Sequence, residues 1–138
     1  MSESYVGLTK LFKFEAAHKL PEYVGKCAHL HGHSYKLKVT VTAPRSKMQA
    51  SGVVVDFDII KLAVNSAVVD VYDHKYLNDF FQMPTAENMI AQMHDDVVKA
   101  LNDLGYGWVH VARLELWETD TCSAVYPVSI TGAATESL

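Results

Sequence analysis

Cysteine is scarce: the 138 residues hold two, Cys27 and Cys122. Two cannot make a disulfide framework, and in a reducing compartment both are expected as thiols. Hydrophobic length is missing as well. No apolar run approaches the roughly 20 residues a bilayer-crossing helix needs, and the opening MSESYVGLTK has no signal-peptide pattern, which points to a cytoplasmic location. Positive charge is not in surplus: 12 Lys and Arg against 16 Asp and Glu leave a formal net charge of −4, the wrong sign for general nucleic-acid binding. The chain also lacks a P-loop, a GxGxxG, a GxSxG, an HExxH and a CxxC. That removes the usual nucleotide, esterase, zinc-protease and dithiol signatures.

What is present suits a single folded domain. Apolar residues make up 49% and charged residues 20%, which excludes disorder, collagen and coiled coil. At this length about two-thirds of the extended-chain surface is buried on folding, enough for a real core. There is no internal repeat and no Pro/Gly-rich linker, so residues 1–127 read as one domain. Residues 128–138, small and polar without periodicity, read as a flexible tail.

Hydrophobic spacing assigns the elements. Residues 7–18 alternate as a strand, imperfectly after Leu11, which suggests a bulge. Residues 34–43 alternate cleanly, and the two strands are expected to pair as a long antiparallel hairpin. Asp56 or Asp58 can cap a helix whose apolar positions are Ile59, Ile60, Ala63, Ala67, Val68 and Val71. Thr85 caps a second helix, 86–104, with Ile90, Met93, Val97, Leu101 and Leu104 as its buried stripe and Gly105 as its stop. Strands 109–118 and 123–128 close the chain, the first with Leu114, Leu116 and Glu118 on one side and Val111, Arg113, Glu115 and Trp117 on the other. The order is ββααββ: an α+β fold with a four-stranded antiparallel sheet and two helices on one face. The other sheet face must be solvated or meet a partner subunit.

Histidine is the residue in excess. There are 7, four of them between positions 18 and 33. In His29-Leu30-His31-Gly32-His33, residues two apart on extended chain point the same way, so His31 and His33 can face one point. His18, at the end of the neighbouring strand, adds a third imidazole. Three histidines with an open fourth position suit a catalytic zinc. A lone HxH is more often a pair of surface histidines, and it is His18 that tips the reading towards metal. His29 keeps the same alternation and competes with His18 as third ligand; spacing does not choose between them.

Cys27, four residues before His31, would have its thiol acidified beside a cation and could act as base or nucleophile, against the commoner fate of a small buried hydrophobe. Cys122 fits that commoner fate better. Asp73-His74 offers a carboxylate that can fix an imidazole's tautomer for acid–base work. Glu118 lies on an otherwise apolar strand face and so needs a partner, which a guanidine-like ring edge would provide through two parallel donors; an exposed strand end is the plain alternative.

Five segments occur in order: Phe14-Glu15-Ala16-Ala17-His18, Cys27-x-x-x-His31-Gly32-His33, Asp73-His74-x-x-Leu77-Asn78, Pro84-Thr85-x-Glu87-Asn88 and Leu116-Trp117-Glu118-Thr119. Together they resemble the 6-pyruvoyl tetrahydropterin synthase / 6-carboxytetrahydropterin synthase family, from about Tyr5 to Pro127. The spacing of Cys27 before the His-Gly-His resembles the bacterial 6-carboxytetrahydropterin synthases of queuosine biosynthesis. The resemblance implies the tunnelling fold, in which subunits join their sheets into a barrel as a homo-trimer or homo-hexamer with active sites between subunits. It implies one Zn2+ per subunit on His18, His31 and His33, Cys27 as proton acceptor, and Asp73 and His74 as its relay. It implies Glu118 as the anchor of the pterin ring, with Thr85 and Glu87 nearby, and it favours His18 over His29, at which family members do not generally carry histidine. The implied reaction is a lyase conversion of 7,8-dihydroneopterin triphosphate to 6-carboxy-5,6,7,8-tetrahydropterin, acetaldehyde and triphosphate. A 6-pyruvoyl product, or pterin binding without turnover, are the alternatives. Lys19, Lys26, Lys36 and Lys38 are near enough in sequence to help hold a triphosphate, although lysines on strands are ordinarily just solvated.

Overall fold

The computed structural model describes residues 3–131 and 134–135, with side chains described as far as Ile130. Strand β1 (Tyr5–His18) and strand β2 (His31–Pro44) form an antiparallel hairpin whose ladder runs without a slip from Tyr5↔Pro44 to His18↔His31. The expected bulge after Leu11 is therefore absent from this pairing. The broken alternation has another cause. Lys10 shares the inner face with Phe12 and lays its stem there, its Nζ 5.7 Å from the Phe12 ring centre, while Leu11 stands on the open face, 55% exposed.

The bulge lies one strand over. Strand β4 (His110–Trp117) pairs with β2, but the register shifts between Thr40 and Val41, so that Thr40 faces Arg113 and Val41 faces Val111. One extra residue turns Val111 inward, to the same face as Leu114 and Leu116, and all three are buried. Simple alternation had placed Val111 on the opposite side.

The sheet has five strands rather than four. A two-residue strand, β3 (Lys75–Tyr76), runs parallel to the end of β1 through Ala16↔Lys75 and Ala17↔Tyr76, and β5 (Ser123–Tyr126) pairs with β4. The order is β3-β1-β2-β4-β5, and the sheet is open rather than closed on itself. Short strands such as β3 carry too few residues to show a period, which is why alternation does not find it. Part of the expected tail, 132–133 and 136–138, lies outside the described residues. Its described part carries a small ladder, β6 (Ile130–Thr131) with β7 (Ala134–Thr135).

Two helical segments cover one face. Asp56 accepts the Asp58 N–H and caps α1 (Phe57–Val64), which widens into a π-helical stretch (Asn65–Val69) before a last turn (Asp70–Tyr72). The crowding of β-branched residues there, Val64, Val68, Val69 and Val71, makes a regular helix unfavourable. Helix α2 (Ala86–Asp103) starts on Thr85, whose Oγ1 accepts the Asn88 N–H at 3.2 Å, and buries Met89, Ile90, Met93, Val97 and Leu101. These residues meet Leu37, Val39, Val41, Leu114 and Leu116 from the sheet. Burying each such side chain stabilises the fold by about 1.5–3 kcal/mol. The opposite face of the sheet carries Thr9, Leu11 and Lys13 of β1, none of them buried. No helix among the described residues is long and apolar enough to cross a membrane.

Candidate metal centre and active site

The hairpin register builds the centre. His18 and His31 are the last cross-strand pair of β1 and β2, and His33 lies two residues inward, opposite Ala16. In a sheet, such residues share a face, so all three imidazoles converge. Their ring centres are 4.6 Å (His18 to His31), 5.0 Å (His18 to His33) and 4.8 Å (His31 to His33) apart, each pair edge-on. Below them Tyr35 stacks on Phe14 at 4.9 Å and closes the floor. Burial, reinforced by Glu118, pushes the Tyr35 phenol well above its ordinary value, so it stays neutral.

Backbone carbonyls decide which nitrogens are bare. His18 Nδ1 lies 2.8 Å from the Pro84 carbonyl and His31 Nδ1 lies 2.7 Å from the His29 carbonyl. A carbonyl only accepts, so both Nδ1 atoms carry the proton and both Nε2 atoms present lone pairs. Those two Nε2 atoms face each other at 3.0 Å. Two lone pairs at that distance repel unless a cation or a shared proton lies between them. His33 Nε2 lies 2.9 Å from Glu118 Oε1, out of line for a hydrogen bond, and is a buried nitrogen without another partner. Burial holds His33 below its usual value, with Glu118 pulling the other way. Ligand atoms of His18, His31, His33 and Glu118 all lie within 4.8 Å of one another. An orphaned nitrogen, opposed lone pairs and one carboxylate fit a divalent cation of the kind that takes imidazole ligands.

This grouping separates His18 from His29. His29 contributes its carbonyl to orient His31, and its ring is outside the group of four. Glu118 sits one residue past β4, where its N–H donates to the Cys122 carbonyl at 3.1 Å. Its carboxylate thus reaches the histidines instead of standing alone on a strand end.

Asp73 and His74 form a second cluster. Asp73 ends the helical segment through an N–H to the Val69 carbonyl, and His74 takes φ = 60°, a left-handed conformation that costs a non-glycine residue about 1 kcal/mol. The turn lets Asp73 Oδ1 accept the Glu15 N–H at 2.8 Å and Oδ2 meet His74 Nδ1 at 3.0 Å. The Glu15 amide, and after it His74, holds the Asp73 carboxyl below its ordinary value. The Asp73 carboxylate therefore fixes the His74 ring with Nε2 free to exchange a proton.

Two clefts flank the centre. One, of about 540 Å³, is lined by Glu15, His33, Ser34, His74 and Tyr76; the other, of about 480 Å³, by Glu87, Glu118, Cys122 and Val125. Cys122 is therefore exposed on a cleft wall, not buried as its position suggested. Glu87 shares that cleft with Glu118, while the Thr85 hydroxyl is engaged as helix cap. Cys27 sits half-buried on a single turn, Lys26–Ala28, in the loop between His18 and His31 and outside the group of four. Lys36 packs over the Trp117 ring at 4.4 Å and Lys38 lies 3.7 Å from Glu115, so both already have partners.

Residues 7–128 match the domain profile of 6-pyruvoyl tetrahydropterin synthase. The chain belongs to this family. Among curated relatives, the 6-carboxy-5,6,7,8-tetrahydropterin synthase of Synechocystis is 39% identical over 121 residues, covering 85% of this chain and 89% of the relative. The enzyme of the same name from Aquifex aeolicus is 31% identical, covering 86% and 96%. Among solved structures, the 6-pyruvoyl tetrahydropterin synthase of Caenorhabditis elegans superposes with a TM-score of 0.76 at 25% identity, covering 94% of this chain and 100% of that one. The Plasmodium falciparum 6-pyruvoyl tetrahydropterin synthase shares the fold at a TM-score of 0.68 and 18% identity, covering 88% and 96%. A member of the 6-pyruvoyl tetrahydropterin synthase family thus carries here a histidine–glutamate cluster able to hold a metal.

Proposed function

We propose that this protein is a zinc-dependent lyase, a 6-carboxy-5,6,7,8-tetrahydropterin synthase serving queuosine and other 7-deazapurine formation. The observation that carries the reading is the convergence of His18, His31, His33 and Glu118 within 4.8 Å, with the Nε2 lone pairs of His18 and His31 opposed. The names of the relatives at 39% and 31% identity add the product class.

On this reading His18, His31 and His33 hold the zinc. When bound, zinc supplies Lewis-acid polarisation of the oxygens on the substrate side chain. Glu118 accepts two parallel N–H bonds from the guanidine-like edge of the pterin ring, with Glu87 on the same cleft wall. Cys27 takes a proton from the side chain. His74, held by Asp73 at 3.0 Å, relays it. Loss of triphosphate and cleavage of the side chain, with uptake of one water, leave the 6-carboxy pterin and acetaldehyde.

The catalytic unit is residues 1–127, acting in the cytoplasm as a homo-trimer or homo-hexamer whose open sheets join into a barrel. Two features support shared active sites. His74 and Glu118 line different clefts, and no strand among the described residues pairs with the outer edge of β1 from Tyr5 to Phe14, since β3 covers only Ala16 and Ala17 and Glu15 is bonded to Asp73 and His74.

The decisive experiment incubates zinc-loaded protein with 7,8-dihydroneopterin triphosphate and measures acetaldehyde beside the pterin mass. Acetaldehyde with a 6-carboxy product is the expected result. Triphosphate release without acetaldehyde would instead assign the 6-pyruvoyl product, the reading favoured by the family profile and the C. elegans structure. Absence of turnover would leave a pterin-binding protein.

Glu118→Ala separates ring anchor from metal ligand. It is expected to weaken pterin affinity roughly 10- to 100-fold, the loss of a charge-assisted pair of bonds, with metal content unchanged. Zinc loss on dialysis would make Glu118 a ligand instead.

A further inference from the structure

We infer that Asn78 is a positioning residue for this reaction: its side-chain amide clamps the chain where it leaves β1, and so places both the ligand His18 and the loop that carries Cys27. The inference rests on the roles proposed above for those two residues.

The backbone pairing of β1 runs out just where it is needed. On one side the ladder with β2 ends at His18↔His31, and on the other the ladder with β3 ends at Ala17↔Tyr76. Lys19 follows immediately, and its N–H and C=O need partners. Asn78, in the single turn Leu77–Asp79 after β3, satisfies both: its Oδ1 accepts the Lys19 N–H at 3.0 Å and its Nδ2 donates to the Lys19 carbonyl at 2.8 Å. A carboxamide is the one short side chain with a donor and an acceptor spaced as in a peptide group. Asn78 thus acts as one more residue of strand, continuing the β1–β3 pairing by a further step.

The clamp feeds directly into the loop. Leu20, buried and next in sequence, donates its N–H to the Cys27 carbonyl at 2.8 Å, and Tyr23 donates to the Leu20 carbonyl at 3.0 Å. After Cys27, His29 N–H bonds the Lys26 carbonyl, and the His29 carbonyl orients the His31 ring. One line of bonds therefore runs from Asn78 through Lys19, Leu20 and Cys27 to the second metal ligand. The loop tip adds little of its own: Val24 is 94% exposed and Tyr23 56% exposed. Bracing comes from the base, and Asn78 holds the base. The same segment is stitched to β1 at Glu15 through Asp73 and His74, so the proposed relay and the thiol loop are registered on one strand.

The test replaces Asn78 by Leu, which has nearly the same shape and neither bond, and by Asp, which keeps only the acceptor. Three quantities are read on the zinc-loaded protein: kcat and KM, amide hydrogen exchange at Leu20, and iodoacetamide alkylation of Cys27 followed by peptide mass, with Cys122 as internal reference. Asn78→Leu is expected to speed Leu20 exchange and Cys27 alkylation roughly tenfold or more, as two ordinary hydrogen bonds are lost, without altering Cys122. It is expected to lower kcat roughly tenfold or more with KM nearly unchanged, because the thiol is misplaced while the ring anchor is intact. Asn78→Asp should fall between Leu and the natural residue in all three. Exchange and alkylation equal to those of the natural protein would overturn the clamp. If Asn78→Leu does not fold, Asn78→Asp decides by the same readouts. Should the natural protein prove inactive on the pterin, the proposed function fails, while exchange and alkylation still judge the clamp by themselves.

Discussion

Replacing Cys27 by alanine is expected to lower turnover by roughly a thousandfold, the scale of a lost acid–base group, and to leave zinc content unchanged. Both halves follow from where the residue sits. The thiol is on the Lys26–Ala28 turn, held through its own carbonyl by Leu20, and it is not one of the four residues whose ligand atoms lie within 4.8 Å. Truncation at that turn removes a small side chain from a half-buried position and disturbs no core packing. Steady-state turnover and metal analysis on the same preparation check both halves. Full activity in the variant would remove Cys27 from the chemistry. Loss of zinc would make it a ligand, and the site would then be closed and structural in kind.

Stripping the metal is the second large effect. A strong chelator is expected to abolish turnover while the protein keeps a cooperative melt and its far-ultraviolet circular dichroism. The physical reason is the location of the core. The ladder from Tyr5↔Pro44 to His18↔His31 and the packing of α2 on Leu37, Leu114 and Leu116 extend well beyond the centre. Metal present at about 100 times its dissociation constant contributes about 2.7 kcal/mol to stability, enough to lower the melting temperature on removal without unfolding the domain. Collapse of the circular dichroism on chelation would show a metal-built fold instead.

The stripped protein should also become sensitive to acid. Burial lowers the His33 value below its ordinary 6.5, so below that pH the unfolded chain binds more protons than the native one. Stability is complete above the unfolded value and is lost as pH falls through the folded one. A chelated sample whose melting temperature is flat between neutral and mildly acid pH would contradict this.

Much of the fold was legible because it follows local rules. Asp56 and Thr85 act as caps, the stripe of α2 is buried from Ile90 to Leu101, with Leu104 left exposed because the helix ends at Asp103, and the β1–β2 hairpin pairs as alternation predicts. The failures share one cause. Alternation counts residues along one strand and is blind to the partner strand. It could not see that Lys10 lies along Phe12, that the bulge belongs between β2 and β4, or that two residues, Lys75 and Tyr76, extend the sheet. Cys122 was misplaced for the same reason: a strand start gives no clue that the residue lines a cleft with Glu118.

For the site, the sequence by itself determined the residue types and one face of the arrangement: a His-x-His on extended chain, a cysteine four residues earlier, an Asp-His pair and a glutamate continuing an apolar strand face. Spacing left His18 and His29 open, and only the tertiary structure shows that His18 stands opposite His31 in the hairpin and joins the group of four while the His29 ring does not. Only the structure showed which nitrogens are bare, because the carbonyls that set them belong to Pro84, 66 residues from His18, and to His29, two residues before His31. And only the structure gave Asn78 its task, since a hydrogen bond between residues 59 apart in sequence leaves no mark on local pattern.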